Sequence, residues 1–254
     1  MSLFLVSCAG LYSADGPPYQ ETPITNKDSG RIIIYMPVNG RSNTYMYESM
    51  VYINNKETHP VSRGGYHSYE VKPGLHLISV RNEQPFEENI VLNVSKGETY
   101  YIKYAFNINE VLRNVALDEL SGTKLEYVEN NPVSPIDFGQ KALVTKRDYF
   151  IQIEHDETNK SLYESLAGRN DTYIVEPGLQ TFGVKVAYEI GPNGPYYYGG
   201  VHYSTGLIEK NITTKNNCIY LFSYEEIIKN LNLKIKYDEY CGKHIPYEVK
   251  LEDQ

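Results

Sequence analysis

Tyr69-Glu70-Val71-Lys72-Pro73-Gly74-Leu75 reads as the end of one strand, a tight turn and the start of the next. Tyr and Val favour extended backbone, Pro73 presets φ for a turn, and Gly74 takes the left-handed position that side chains resist. The same pattern returns as Tyr173-Ile174-Val175-Glu176-Pro177-Gly178-Leu179. Further matches follow in the same order: Tyr104-Ala105-Phe106 with Tyr220-Leu221-Phe222, Glu110–Asn114 with Glu226–Asn230, and Asp118-Glu119 with Asp238-Glu239. Self-similarity in a conserved order predicts a duplicated domain.

Outward from the turns, each copy reads as short strands. The first has Arg31–Met36, Met46–Ile53, Tyr66–Val71, Leu75–Val80, Ile90–Val94, Thr99–Phe106 and Leu125–Val128, with a short helical turn at Asn109–Asn114. The second has Tyr149–Glu154, Thr172–Val175, Leu179–Tyr188, Tyr196–Tyr203, Leu207–Thr213, Cys218–Tyr224 and Leu233–Tyr237, with a helical turn at Glu225–Asn230. Period-2 alternation and closely spaced turn signals predict an all-β chain of two tandem antiparallel β-sandwich domains. The expected boundaries are 1–29 for an N-terminal tether, 30–130 for the first sandwich, 131–146 for a Pro-containing linker and 147–254 for the second sandwich. The tether assignment rests on Asp15–Ser29 being polar, Pro-bearing and without periodicity.

Val71-Lys72-Pro73-Gly74-Leu75-His76-Leu77, followed by Val94-Ser95-Lys96-Gly97-Glu98-Thr99-Tyr100-Tyr101, resembles uncharacterised sandwich domains of bacterial lipoproteins. These are akin to PEGA and carboxypeptidase-regulatory-like modules. The resemblance extends from Gly30 to about Glu129, and more weakly from Arg147 to about Glu248, where Asn216-Asn217-Cys218 replaces the Gly-x-Thr turn. It implies a fold and an envelope location, and it carries over no catalytic residue.

Leu5-Val6-Ser7-Cys8 in turn resembles a bacterial lipobox, in which the cysteine thiol is acylated and the preceding segment is removed. An apolar Leu5 three places before the thiol and small residues at the cut fit that processing, although no Lys or Arg precedes Cys8 and the apolar run is short. A cysteine that merely follows a few apolar residues is the alternative. The lipobox implies membrane attachment through Cys8, and Ala9 after it implies sorting to the outer membrane.

Composition narrows the function further. The net charge is −8, which repels phosphate backbones and argues against nucleic-acid binding. Tyr numbers 25 against 7 Phe and no Trp, a bias that suits half-exposed strands. Cys218 and Cys241 form a candidate disulfide in an oxidising compartment, while Cys218 on an apolar strand position equally suits a buried thiol.

Motifs for catalysis are not found: there is no Gly-x-Ser-x-Gly, His-Glu-x-x-His, P-loop or Gly-x-Gly-x-x-Gly. Glu154-His155-Asp156-Glu157 gathers metal-ligand types, but alternation sends neighbours to opposite faces, so the segment reads as solvated strand-end charge. The other histidines, His59, His67, His76, His202 and His244, lack ligand spacing. No cofactor or metal is expected.

Gly194–Tyr203 stands out because it has no counterpart in the first copy. Tyr196, Tyr197, Tyr198, His202 and Tyr203 sit between Gly-rich turns and form a candidate binding hairpin, the alternative being rings that pack on the sandwich. The expected function is a non-catalytic envelope lipoprotein that holds another envelope protein; the alternative is a module recognising glycan or a host surface through this hairpin.

Overall fold

The computed structural model describes residues 14–38, 49–81, 87–105, 107–137, 139–147, 151–155, 173–190, 201–204, 208–227 and 232–241. Along them run β1 (Gly30–Tyr35), β2 (Ser49–Ile53), β3 (Lys56–Val61), β4 (Gly65–Val71), β5 (Gly74–Arg81), β6 (Glu87–Val94), β7 (Thr99–Tyr104) and β8 (Ile108–Val111). The helix α1 (Arg113–Leu120) precedes β9 (Lys124–Val133), β10 (Ala142–Lys146), β11 (Ile151–His155), β12 (Tyr173–Val175) and β13 (Gly178–Ile190). The chain closes with β14 (Val201–Ser204), β15 (Ile208–Thr214), β16 (Ile219–Ile227) and β17 (Asn232–Tyr240). The architecture is all-β and sandwich-like.

Two compact units result, one built mainly from the chain up to Phe86 and Val94–Pro135, the other from Glu87–Asn93 and Ile136–Pro246. In the first, a sheet of order β8-β7-β1-β4-β9 is accompanied by the ladder β3-β2-β5. Alternate residues Val51 and Ile53 of β2, and Leu77 of β5, are fully or almost fully buried, as expected of strands with one face on a core. Tyr69 of β4 meets Thr58 of β3 through their hydroxyls at 2.9 Å. In the second unit, β12-β10-β16-β17 and β11-β13 with β15 bury a core of period-2 sets. These include Ile151 and Ile153, Phe182, Val184 and Val186, and Tyr220 and Phe222.

The sheets are mixed rather than antiparallel throughout. β1 pairs with β7, β4 with β9 and β10 with β16 in parallel. A parallel neighbour needs a crossover, and here the chain passes through other strands before returning to the sheet.

Both units wire their central strand alike. β1 lies between antiparallel β4 and parallel β7, and β10 lies between antiparallel β12 and parallel β16. Gly97 N donates to Ser29 O at 2.9 Å, and Asn217 N donates to Lys141 O at 2.9 Å. Tyr100 Oη accepts from Ser95 N at 3.0 Å, and Tyr220 Oη accepts from Lys215 N at 2.9 Å. Gly97 (φ 80°) and Asn217 (φ 55°) both take the left-handed conformation, so Asn fills the place of Gly in that turn. In this register Tyr220 corresponds to Tyr100, not to Tyr104 as the sequence match has it.

Other expectations shift as well. Of the helical turn expected at Asn109–Asn114, Asn109–Val111 belong to strand β8, whose Val111 pairs with Tyr101, and only Arg113 and Asn114 are helical, opening α1. Helix α1 buries Ala116 and Leu120, one turn apart, and docks through Glu119, which accepts from Tyr35 Oη at 2.6 Å and pairs with Lys103. Residues 225–227, expected to turn helical, continue β16 against β17; 228–230 lie outside the described residues. Strand enters the expected linker 131–146 from both sides, since β9 runs to Val133 and β10 starts at Ala142. Strand β3 carries Pro60, whose missing donor is tolerated at an edge position.

The largest correction concerns residues 14–29, which form a fixed strap rather than a free tether. Leu125 N donates to Pro17 O at 2.8 Å and Tyr19 N to Thr123 O at 3.1 Å. The Tyr19 ring meets Tyr66 edge-on at 5.1 Å. A segment without periodicity can still order when specific partners receive its backbone donors, and here they do.

Candidate functional site

The strap is fastened by a buried charge pair. Arg31 and Glu70 face each other across the β1–β4 ladder, 3.4 Å apart, and both are almost fully buried. Glu70 receives Thr25 N at 2.5 Å and Asn26 N at 3.0 Å; Arg31 donates to the carbonyls of Thr22 and Pro23. Burial opposes ionisation of Glu70, but the Thr25 and Asn26 amides and the Arg31 guanidinium outweigh it and hold the carboxyl below the usual range. The exposed Arg113–Glu21 pair at 2.7 Å adds a contact from α1.

A second polar group lies between β3, β4 and β9. His67 and Tyr69, two apart on β4, share a face and are wholly buried. Tyr69 Oη lies 2.8 Å from His67 Nδ1. The β4–β9 register pairs Tyr66 with Leu125 and His67 with Tyr127, leaving Glu126 as the extra residue of a bulge. That bulge re-aims the carboxylate: Oε2 lies 3.5 Å from His67 Nε2 and accepts from Ser62 N at 2.9 Å. Burial pushes the Glu126 pKa up, yet the His67 and Ser62 contacts prevail and leave it lowered. Tyr69 is shifted upward, mainly by burial. Above this group the exposed His59 ring stacks on Tyr127 at 3.8 Å.

The chain Thr58–Tyr69–His67–Glu126 has the residue types of a proton relay. His67 and Tyr69 expose no surface, Glu126 and Thr58 at its ends are partly exposed, and its contacts join β3, β4 and β9. A second buried histidine acts similarly. His76 places Nε2 2.8 Å from Lys72 O and Nδ1 3.1 Å from Asn54 Nδ2. Asn54, at φ 54°, also accepts from Leu77 N and donates to Ser134 O. Burial lowers the His76 pKa, so the ring is neutral, donating from Nε2 and accepting at Nδ1.

Cys218 and Cys241 form a disulfide. Cys218 precedes β16 and Cys241 follows β17, whose ends meet at the Ile219–Tyr240 pair, so the bridge closes the open end of that ladder. Among the described residues Glu239 joins the two sulfurs in a grouping of metal-ligand types, but the sulfurs are bonded to each other and Glu239 pairs with Lys215 at 2.6 Å.

Of the remaining sequence candidates, Cys8 and Tyr196, Tyr197 and Tyr198 lie outside the described residues. His202 and Tyr203 are on β14, opposite Glu189 and Tyr188 of β13. Of the Glu154–Glu157 segment, His155 packs its ring against Phe182 at 4.6 Å and lies 3.2 Å from Gln180 Oε1; residues 156 and 157 lie outside the described residues.

Sequence reasoning passed over Arg31, Glu70, His67 and Glu126. A signal for His67 was present: it shares the alternating face of Tyr69 and Val71, which points it inward with them. No curated protein matches the chain. Residues 26–116, from the last turn of the strap into α1, match the family described as a protein of unknown function, DUF2846.

Proposed function

We propose that this is a non-catalytic lipoprotein of the bacterial cell envelope, acylated at Cys8, whose sandwiches hold or bind another envelope protein. The observation that carries the reading is the lipobox-like Leu5-Val6-Ser7-Cys8, five residues ahead in sequence of a strap bound onto the first unit. A strap fixed in this way transmits an N-terminal anchor to a folded body. The Cys218–Cys241 bridge agrees with an oxidising compartment. Among the described residues the buried His67, Tyr69 and His76 bond within and between the strands of the first unit, which supports a holding role over a catalytic one.

In this proposal the two units are copies of one PEGA-like domain; the repeated Ser29–Gly97 and Lys141–Asn217 bonds support it. No helix among the described residues is long and apolar enough to cross a membrane; the attachment proposed is the lipid on Cys8. The test is Cys8→Ser in the native host: the protein should move to the soluble fraction and lose labelled fatty acid. Membrane retention without label in either form refutes the reading. A pull-down from those membranes then identifies the partner.

A second reading, recognition of glycan or a host surface through the Tyr-rich hairpin, is favoured by the length of β13. It pairs with β15 over Gly178–Val184 and continues past it to carry β14 at Ala187–Ile190. On this reading Tyr203→Ala abolishes capture while changing stability by under about 0.5 kcal/mol.

A further inference from the structure

The first unit has two distinguishable ends, set by the direction of β1. At the Gly30 end, Ser29 O receives Gly97 N, and Lys96 pairs with Asp28 at 2.5 Å. At the Tyr35 end, Met36 N donates to Gly65 O, Gly64 N to Met36 O and Lys124 N to Gly64 O. A six-residue strand separates them, about 20 Å of extended chain.

The strap enters at the Tyr35 end. Ala14 is buried, and Pro17 and Tyr19 bond to Leu125 and Thr123 beside Lys124. The path is tight: a Cβ on Gly16 would lie 1.9 Å from Leu125 O, so only glycine passes. Between Cys8 and Ala14 stand only Ala9 to Ser13, a stretch that reaches at most about 20 Å when fully extended.

The surface at this end suits close approach to a bilayer. Val38 is 39% exposed and flanked by Gly64 and Gly122, which raise no side chains around it. Arg63 and Lys124 are both exposed at this end: Arg63 Nε donates to Val38 O at 2.7 Å, and Lys124 N donates to the carbonyl of Gly64, the glycine next to Val38. Glu126, the next acid along β9, is turned inward onto Ser62 N.

We infer that the Tyr35 end of the first unit, around Val38, Arg63 and Lys124, lies directly on the phospholipid headgroups of the membrane holding Cys8. This rests on the acylation reading above. The fixed strap and short spacer bring this end to the bilayer. Val38 meets the headgroup boundary, and Arg63 and Lys124 face the lipid phosphates. The Gly30 end points away, into the space where a partner would be met.

The test uses the full acylated chain in vesicles of phosphatidylglycerol and phosphatidylethanolamine carrying a nitroxide-labelled lipid. With Cys8 acylated and Cys218 bridged to Cys241, a cysteine introduced as Val38→Cys, Lys124→Cys or Lys96→Cys is the single free thiol for a fluorophore. The labels at 38 and 124 should be quenched several-fold more than the label at 96. Inserting about 20 Gly/Ser residues after Ala9, which adds about 25 Å of mean reach, should remove that difference. Flotation with vesicles but equal quenching at all three positions overturns the proposal and leaves the acylation reading intact. Failure to float, with no acyl mass on Cys8, overturns both.

Discussion

Gly65 and Glu126 share one space: a Cβ on Gly65 would lie 2.0 Å from Glu126 Oε2. The glycine is required there by the carboxylate that the β9 bulge turns inward, and its backbone φ is not in the left-handed region. Gly65→Ala should therefore expel the Glu126 carboxylate from Ser62 N and His67. A loss of about 1–3 kcal/mol is expected in denaturant unfolding, the cost of leaving buried polar groups unpaired. In a Glu126→Ala background the same change should cost less than half as much. Additive costs would mean that something other than this carboxylate excludes a side chain at position 65.

Breaking the buried pair that holds the strap should expose its residues. Glu70→Ala leaves Arg31 uncompensated and removes the acceptor for Thr25 N and Asn26 N. The expected cost is about 3–5 kcal/mol, with hydrogen-exchange protection lost first at Thr25 and Asn26. Replacing both partners, as Arg31→Met with Glu70→Leu, should cost less than either single change. Unchanged protection at Thr25 and Asn26 in Glu70→Ala would show that the strap is held elsewhere.

The disulfide gives a chemical prediction and an energetic one. Alkylation of denatured, non-reduced protein should leave Cys218 and Cys241 unmodified, and reduction should free both. The two cysteines are 23 residues apart, so removing the bridge by Cys241→Ser should lower the stability of the second unit by about 3 kcal/mol. Alkylated Cys218 and Cys241 in the non-reduced sample would contradict the structure.

Acid should act in two steps. The folded-state pKa of His76 is depressed, so the stability it contributes is present above its ordinary value of 6.5 and is lost as pH falls below it. Protonation puts a second donor against Asn54 Nδ2, whose Oδ1 is committed to Leu77 N. Glu70 and Glu126 are also depressed, and their contribution falls away below the ordinary value of 4.5. Unfolding free energy followed between about pH 7 and pH 3 should decline across both windows. His76→Gln should flatten the upper decline alone, and Glu70→Gln should reduce the lower one. An upper decline unchanged in His76→Gln would assign it to another group.

The fold class was legible because alternation writes burial directly into sequence: Val51 and Ile53, or Phe182, Val184 and Val186, declare one inward face. The Pro-Gly turns were legible because Gly74 and Gly178 adopt φ of 134° and 130°. Pairing direction was not, since alternation is the same for parallel and antiparallel neighbours. Nor was the strap: Thr25 and Asn26 are ordinary loop residues until Glu70 meets their amides across the chain. The bulge at Glu126 stayed hidden for the same reason, being a mismatch between two strands distant in sequence.

The parallel pairing of β1 has a consequence for when the chain can fold. Gly30 pairs with Val71, and Arg31 with Thr99, so both flanks of β1 are occupied by segments made much later. A nascent chain ending before Thr99 leaves one side of this strand without its native neighbour. Such non-local topology closes slowly, because the loop must be ordered before any ladder bond forms. During synthesis the sheet therefore cannot complete itself until Thr99 to Lys103 have been made, whatever the earlier strands have already paired with.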